Sequence, residues 1–275
     1  MSSSNGSIGV FDSGYGGLTI LKEMIRILPE YDYLYLGDNA RAPYGSRSFD
    51  IVFDFTRQAV EELFRRGCHL VILACNTASA KALRSIQQHV LPVSYPDHRV
   101  LGVIRPTVEA VGHLSRSRHV GLLATPGTVR SHSYQLEIAK LYPDMYITET
   151  ACPMWVPLVE TGESSGPGAD FFVKKYIDET LSADPEIDTL LLGCTHYPLL
   201  LPKIRKYVPD SVTVLPQGDI VGHSLADYLQ RHPEIDRHCS KSGSVQYLTT
   251  ETPEQFDSLA SLFMGGMVNS MRITL

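Results

Sequence analysis

Two stretches of sequence, Val71-Ile-Leu-Ala-Cys-Asn-Thr77 and Leu190-Leu-Leu-Gly-Cys-Thr-His196, follow the same plan. Each is a short apolar run followed by a small residue, a cysteine and polar side chains. Continuous apolar runs of this length are typical of strands buried on both faces of a parallel sheet. Each cysteine would then lie just beyond the carboxyl end of a strand, which is where open α/β sheets bind ligands. The two stretches therefore predict one cysteine-bearing loop in each half of an α/β protein.

Other apolar runs alternate with segments of helical periodicity along the whole chain. Leu18, Leu21, Ile25 and Leu28 recur at helical spacing, and similar patterns cover residues 52–63 and 258–263. This alternation predicts a parallel sheet with crossover helices. Strands are expected at 8–11, 33–36, 70–74, 100–104, 120–124, 189–192, 212–215 and 245–248.

An internal repeat suggests how these elements are grouped. Ile8-Gly-Val-Phe-Asp-Ser-Gly14 precedes the first cysteine stretch, and Val120-Gly-Leu-Leu-Ala-Thr-Pro-Gly127 precedes the second. The repeat favours an α/β fold of two similar lobes with mainly parallel sheets, related by a pseudo-twofold axis, with the active site in the cleft between them. Crossing points near 92–99 and 207–210 predict a discontinuous first lobe, residues 1–98 plus 209–275, and a second lobe, residues 99–208.

Composition excludes several classes of protein. The 275 residues are 43% hydrophobic and 20% charged, which is ordinary for a globular chain. A net charge of -6 without a basic cluster argues against nucleic-acid binding. No apolar run is long enough for a membrane span, and the first seven residues do not resemble a secretory leader. The five cysteines are widely spaced and form no CxxC pair, which argues against disulfides and a metal site. We therefore expect reduced thiols in a cytoplasmic protein.

Two thiols facing one cleft, Cys75 and Cys194, are suited to racemisation at the Cα atom of an amino acid. One group must remove the Cα proton from one face while the other returns a proton to the opposite face, and the roles exchange in the reverse direction. A free thiol has a pKa of about 8.5, close enough to neutrality for both roles after modest tuning. No lysine lies in an obvious strand-end loop to hold pyridoxal phosphate, so no cofactor is expected.

Six motifs in order resemble the glutamate racemase family of the Asp/Glu racemase superfamily, from near residue 8 to near residue 220. They are Phe11-Asp-Ser-Gly-Tyr-Gly-Gly-Leu18, Pro43-Tyr-Gly45, Ala74-Cys-Asn-Thr-Ala-Ser79, Ala124-Thr-Pro-Gly-Thr128, Ala151-Cys-Pro153 with Pro157-Leu-Val-Glu-Thr-Gly162, and Gly193-Cys-Thr-His-Tyr-Pro198.

The resemblance implies cofactor-independent interconversion of L-glutamate and D-glutamate, which supplies D-glutamate for peptidoglycan synthesis. It also implies a homodimer. Cys75 would exchange the proton of D-glutamate with support from Asp12. Cys194 would exchange that of L-glutamate with support from Glu160 and His196. The implied substrate-binding residues are Asp12, Ser13, Pro43, Tyr44, Gly45, Asn76, Thr77, Thr125, Thr128, Thr195 and His196.

Two other readings stay open at this stage. A related two-cysteine racemase could act on aspartate or a hydantoin, although the first two motifs favour glutamate. A two-lobed binding protein could sense an amino acid without chemistry, but it gives no reason for paired thiols at strand ends. Cys68, Cys152 and Cys239 have no partners in the sequence and are interpreted as structural. Arg105 stands where the family often has Glu, which is expected to alter a contact between lobes or subunits.

Overall fold

Ten strands in two parallel sheets form the frame of the protein. The computed structural model describes residues 5–275. The expectation about a secretory leader concerns the first seven residues, so it lies partly outside the described residues. The strands are β1 Ile8–Asp12, β2 Tyr33–Gly37, β3 Leu70–Leu73, β4 Arg99–Gly102, β5 His119–Ala124, β6 Tyr146–Ala151, β7 Thr189–Gly193, β8 Thr213–Leu215, β9 Val245–Thr249 and β10 Ser270–Arg272.

The strands divide into two lobes. A six-stranded sheet of order β10-β9-β2-β1-β3-β4 forms the first lobe, and a four-stranded sheet of order β6-β5-β7-β8 forms the second. Every pairing is parallel. The central strands β1, β2, β3 and β7 are buried at every position, as their continuous apolar runs predict. The predicted α/β fold of two lobes is confirmed.

Helices connect the strands and cover the sheets. They are α1 Leu18–Ile27, α2 Phe49–Arg65, α3 Asn76–Lys81, α4 Leu83–Ser85, α5 Leu91–Ser94, α6 Ile104–Leu114, α7 Pro126–Ser131, α8 Ser133–Leu141, α9 Trp155–Glu160, α10 Pro167–Ala183, α11 Leu201–Tyr207, α12 Gly218–Arg231, α13 Pro233–Asp236 and α14 Pro253–Met264. Ile86–Val90 is a π-helical turn, and 3-10 turns occur at Asn39–Arg41, Glu163–Ser165 and Tyr197–Leu200. No helix within residues 5–275 is both long and apolar enough to cross a membrane.

Two strands lie on the other side of the predicted lobe boundaries. β4 was assigned to the second lobe but pairs with β3, and β8 was assigned to the first lobe but pairs with β7. The chain therefore crosses after β4 and after β8, a few residues beyond the predicted points. Both are edge strands, whose lobe is decided by long-range pairing rather than by local composition. The strands β6 and β10 had not been predicted.

Asp32 ties the C-terminal part of the chain to the first lobe. It is buried just before β2, and its Oδ1 accepts hydrogen bonds from the backbone N–H and hydroxyl groups of Ser242 and Ser244, at 2.6 to 3.0 Å. Burial alone would raise the pKa of Asp32, but the hydrogen bonds from these serines and Ser240 hold it well below its usual value. The ionised carboxylate therefore anchors the segment that precedes β9.

Replacing this anchor should destabilise the first lobe. Asp32→Ala is expected to lower the free energy of unfolding by about 2 kcal/mol at pH 7, because four donors lose the buried carboxylate that accepts from them. A carboxyl whose folded pKa is depressed stabilises above its unfolded pKa of about 3.9 and loses that contribution as the pH falls. The difference from the unmodified protein should therefore shrink below about pH 4 in urea titrations. Asp210→Ala, at an exposed position, is the control. An equal loss in both variants would contradict the assignment.

Candidate active site

A cavity of about 200 Å³ opens where the carboxyl ends of the two sheets face each other. Segments after β1, β2 and β3 of the first lobe, and after β5, β6 and β7 of the second, supply its walls. The residues around it are Asp12, Ser13, Gly14, Ala42, Pro43, Tyr44, Gly45, Ser46, Cys75, Asn76, Thr77, Thr125, Pro126, Cys152, Pro153, Val156, Pro157, Glu160, Cys194, Thr195 and His196. All the site residues that the sequence predicted are among them except Thr128.

Glycines after β1 allow the two lobes to approach closely. A Cβ atom on Gly16 would lie 2.4 Å from both His196 Nδ1 and Thr195 Oγ1 of the second lobe. A Cβ on Gly127 would lie 2.5 Å from the carbonyl oxygen of Gly45 in the first. Both distances are far shorter than real contacts, so larger residues at these two positions would separate the lobes. The glycine-rich motif therefore serves close packing around the cleft.

Cys75 lies on the first-lobe side of the cavity, beside the loop that follows β1. Its Sγ is 3.4 Å from Ser13 Oγ and accepts the backbone N–H of Ala78, also at 3.4 Å, at the start of α3. Asp12, at the end of the neighbouring strand, accepts the backbone N–H of Gly14 at 2.9 Å. Parallel pairing of β1 with β3 ends both strands level and brings these groups together.

Burial determines the protonation of Cys75 and affects that of Asp12. Burial, reinforced by the Asp12 carboxylate, raises the pKa of the Cys75 thiol to about 12. Burial also raises the pKa of Asp12, although the positive charge of His196 opposes that effect. Cys75 is therefore a neutral thiol at neutral pH, the form that can donate a proton.

Cys194 lies on the second-lobe side, in line with an imidazole and a carboxylate. Its Sγ is 3.9 Å from His196 Nδ1, and His196 Nε2 is 3.0 Å from Glu160 Oε1. Burial would lower the pKa of His196, but its hydrogen bonds and charge interactions with Cys194 and Glu160 outweigh burial and raise the pKa to about 10. His196 is therefore protonated at neutral pH and places a positive charge beside the Cys194 sulfur.

Uncharged hydroxyl groups are prominent in the rest of the cavity wall and directly behind it. The hydroxyl oxygens of Thr77, Thr125 and Thr128 lie 3.1 to 3.5 Å apart and join the two lobes. Thr128 thus supports the other two without reaching the cavity wall. Tyr44 donates its hydroxyl hydrogen to the buried Asp38, which leaves its ring and backbone for a ligand.

The charged residues of the cavity wall are Asp12, Glu160 and His196, and none of the residues around the cavity is lysine or arginine. Apart from the His196 imidazole, the groups that can hold a carboxylate ligand here are hydroxyl, amide and backbone N–H groups. Such preorganised dipoles are effective in a site from which water is excluded.

The sequence predicts a purely structural role for Cys152, and the structure brings this residue to the cavity. Cys152 contributes to the wall, while its thiol points to the carbonyl oxygen of Thr150 at 3.7 Å. Burial raises the pKa of this thiol well above its usual value, which fits a structural side chain. Val156 and Pro157 of α9 extend the same wall. Only the motif around residues 151–162 had indicated this segment.

Arg105, the departure from the family pattern, lies away from the cavity. It is exposed and pairs with Glu109 at 2.9 Å and Glu137 at 3.3 Å, on α6 and α8 of the second lobe. The charge reversal leaves the groups around the two thiols unchanged.

Comparison with known proteins finds several racemases that are similar to this chain. A family described as Asp/Glu/Hydantoin racemase matches residues 8–220. A glutamate racemase of Ruegeria pomeroyi is 42% identical over 268 residues, which cover 94% of this chain and 96% of the relative. The glutamate racemase of Francisella tularensis, solved with D-glutamate, is 33% identical with a TM-score of 0.86 over 98% of both chains. The isoform RacE1 from Bacillus anthracis has the same TM-score at 31% identity, again over 98% of both chains.

The His196–Glu160 pair gives a prediction that needs no substrate. NMR titration of the imidazole should show His196 losing its proton near pH 10, and Glu160→Gln should lower that midpoint by about one pH unit or more, because a neighbouring carboxylate favours the charged ring. Glu163→Gln removes an exposed acid three residues further along and should leave the midpoint unchanged. A midpoint near 6.5 in the unmodified protein would contradict the assigned imidazolium.

Proposed function

This chain belongs to the Asp/Glu/Hydantoin racemase family, and on that premise we propose that it interconverts L-glutamate and D-glutamate by proton transfer at Cα between two thiols. One observation carries the proposal. Cys75 and Cys194 lie on the walls of the same cavity, on opposite lobes, with Cys75 beside Ser13 and Cys194 beside His196.

In the proposed reaction, L-glutamate binds to the form in which Cys194 is a thiolate and Cys75 is a thiol. The Cys194 thiolate, stabilised by the His196 imidazolium, removes the Cα proton from one face of L-glutamate. The Cys75 thiol then donates its proton to the opposite face, and D-glutamate results. The enzyme is left with a protonated Cys194 and an ionised Cys75, which is the form that accepts D-glutamate in the reverse reaction. Protons therefore balance in each direction.

The weak acidity of Cα is the main energetic obstacle. Negative charge that develops at Cα is delocalised onto the adjacent carboxylate, so donors fixed around that group lower the barrier. The hydroxyls of Thr77 and Thr195 and the amide of Asn76 lie on the cavity wall to supply such donors. Orientation between two fixed sulfur atoms contributes by converting proton transfer into an intramolecular step.

A physiological role follows from the reaction. We propose that the D-glutamate formed is used for peptidoglycan synthesis, as the resemblance to glutamate racemases implies. Expression of the chain in a bacterium that depends on added D-glutamate should remove that dependence. A Cys75→Ser chain, expressed to the same level, should fail to do so. Restored growth with the inactive chain would contradict the role.

The first test of activity is solvent exchange at Cα. Purified protein without added metal or cofactor is incubated with L-glutamate in deuterium oxide and followed by proton NMR and circular dichroism. We expect loss of the Cα proton signal together with decay of optical rotation to zero. Exchange with aspartate but not glutamate would favour the related racemase, and binding without any exchange would favour an amino-acid sensor.

Single cysteine replacements test the role of each thiol. Cys75→Ser and Cys194→Ser should each lower kcat/KM by about 1,000-fold, because each removes one acid–base group. Residual exchange should be restricted to D-glutamate in Cys194→Ser and to L-glutamate in Cys75→Ser. Cys239→Ser is the matched control, because this buried thiol donates to the carbonyl of Ile235 far from the cavity and serine can do the same. Exchange on the opposite enantiomers would reverse the assignment of faces.

A further inference from the structure

A buried polar network lies behind the Cys75 loop and joins segments that are far apart in sequence. Its side chains are Asn76 at the start of α3, Thr107 in α6, Tyr134 in α8 and Gln217 just before α12. All four are at most 2% exposed. Asn76 alone among them is part of the cavity wall. The other three therefore support a residue that can touch a ligand.

The direction of each hydrogen bond follows from one backbone carbonyl. The oxygen of Val103 can only accept, and Thr107 Oγ1 donates its single hydrogen to it at 2.7 Å. Thr107 can then only accept from Gln217, whose nearer amide atom, at 2.8 Å, must be Nε2. The same Nε2 donates its second hydrogen to the hydroxyl of Tyr134 at 2.8 Å. The Gln217 amide is thus fixed in one orientation.

The fixed orientation of the Gln217 amide also determines the orientation of the Asn76 amide. The remaining oxygen of Gln217 faces Asn76 and accepts from its Nδ2 at 2.5 Å. Tyr134, which already accepts from Gln217, donates its hydrogen to Asn76 Oδ1 at 2.7 Å. The Asn76 carbonyl is therefore occupied inside the protein. One of its two Nδ2 hydrogens has no acceptor among residues 5–275, and it is the polar group that Asn76 can offer to the cavity.

We propose that Gln217 and Tyr134 are positioning residues that hold Asn76 with an N–H, rather than a carbonyl oxygen, toward the substrate carboxylate. An ionised carboxylate only accepts hydrogen bonds, so an amide rotated by 180° would repel it. The inference rests on the proposed function in taking an amino-acid carboxylate as the ligand. It gives the cavity a directed donor although no lysine or arginine lies on its wall.

The network also includes both places where the chain passes between lobes. Thr107 follows the first crossing, between β4 and β5, and Gln217 lies in the second, between β8 and β9. Tyr134 belongs to the second lobe and Asn76 to the first. The orientation of Asn76 therefore depends on the two lobes holding the relation seen here.

Removal of one hydroxyl tests the proposal. Tyr134→Phe should raise KM for both enantiomers by about 10-fold, equivalent to about 1.4 kcal/mol, and lower kcat much less. Tyr33→Phe is the matched control, because it removes another buried hydroxyl, one that donates to the carbonyls of Met24 and Leu28, and should leave KM unchanged. Gln217→Met, which keeps the length of the side chain but removes both the acceptor for Asn76 and the donors, should raise KM as Tyr134→Phe does.

A double variant shows whether the effect acts through Asn76. Asn76→Ala should itself raise KM, and adding Tyr134→Phe to it should produce no further increase. Additive increases, or an unchanged KM in folded Tyr134→Phe and Gln217→Met, would overturn the proposal. If one of these two variants does not fold, the other decides.

Binding measurements on the same variants distinguish a failure of this inference from a failure of the proposed function. The Kd of D-glutamate, measured by calorimetry, should follow the pattern expected for KM in all variants. Absent racemisation by the unmodified protein with intact binding would refute the proposed function, while the Kd values would still decide the role of Gln217 and Tyr134. Equal Kd values in Tyr134→Phe and the unmodified protein would refute that role even if racemisation is normal.

Discussion

Parallel strand pairing and close packing of glycine are the constraints on which the site depends. Within the first lobe, pairing of Phe11 with Leu73 ends β1 and β3 level, so that the next residues of both strands share one edge of the sheet. Between the lobes, Gly16 packs against Thr195 and His196 without room for a Cβ atom. The first constraint places Asp12 beside Cys75. The second brings the Cys194 loop close enough to form a single cavity.

The two directions of the proposed racemisation are mirror images, but the surroundings of the two thiols differ. Burial beside a carboxylate keeps Cys75 protonated, whereas Cys194 lies beside the positively charged imidazole of His196. Exchange of one proton between the two sides inverts this distribution of charge. In the proposed mechanism, the protonation states of the two thiols after turnover therefore depend on which enantiomer the enzyme last released. Solvent exchange or a second substrate molecule restores the starting form.

The sequence predicted the fold and most of the cavity because both depend on local patterns. Buried central strands appear as continuous apolar runs, and the loops at their ends carry the motifs. The edge strand β6 reads Tyr-Ile-Thr-Glu-Thr-Ala, which is too polar to signal a buried strand, and β10 has only three residues. Lobe boundaries failed because pairing partners decide where short edge strands lie. The link from Gln217 to Asn76 spans 141 residues and had no local signal.

The insertion of the second lobe within the first also has a consequence for synthesis on the ribosome. Tyr33 of β2 pairs with Val245 of β9, so the intervening chain must be translated before β2 acquires its second neighbour. At roughly 5–20 residues per second, that interval is about 10–40 s. During this time a strand of sequence Tyr-Leu-Tyr-Leu-Gly presents an apolar, unpaired edge, which is a template for association between nascent chains. The yield of soluble protein should therefore depend on translation speed across the second lobe and on chaperones that cover this edge.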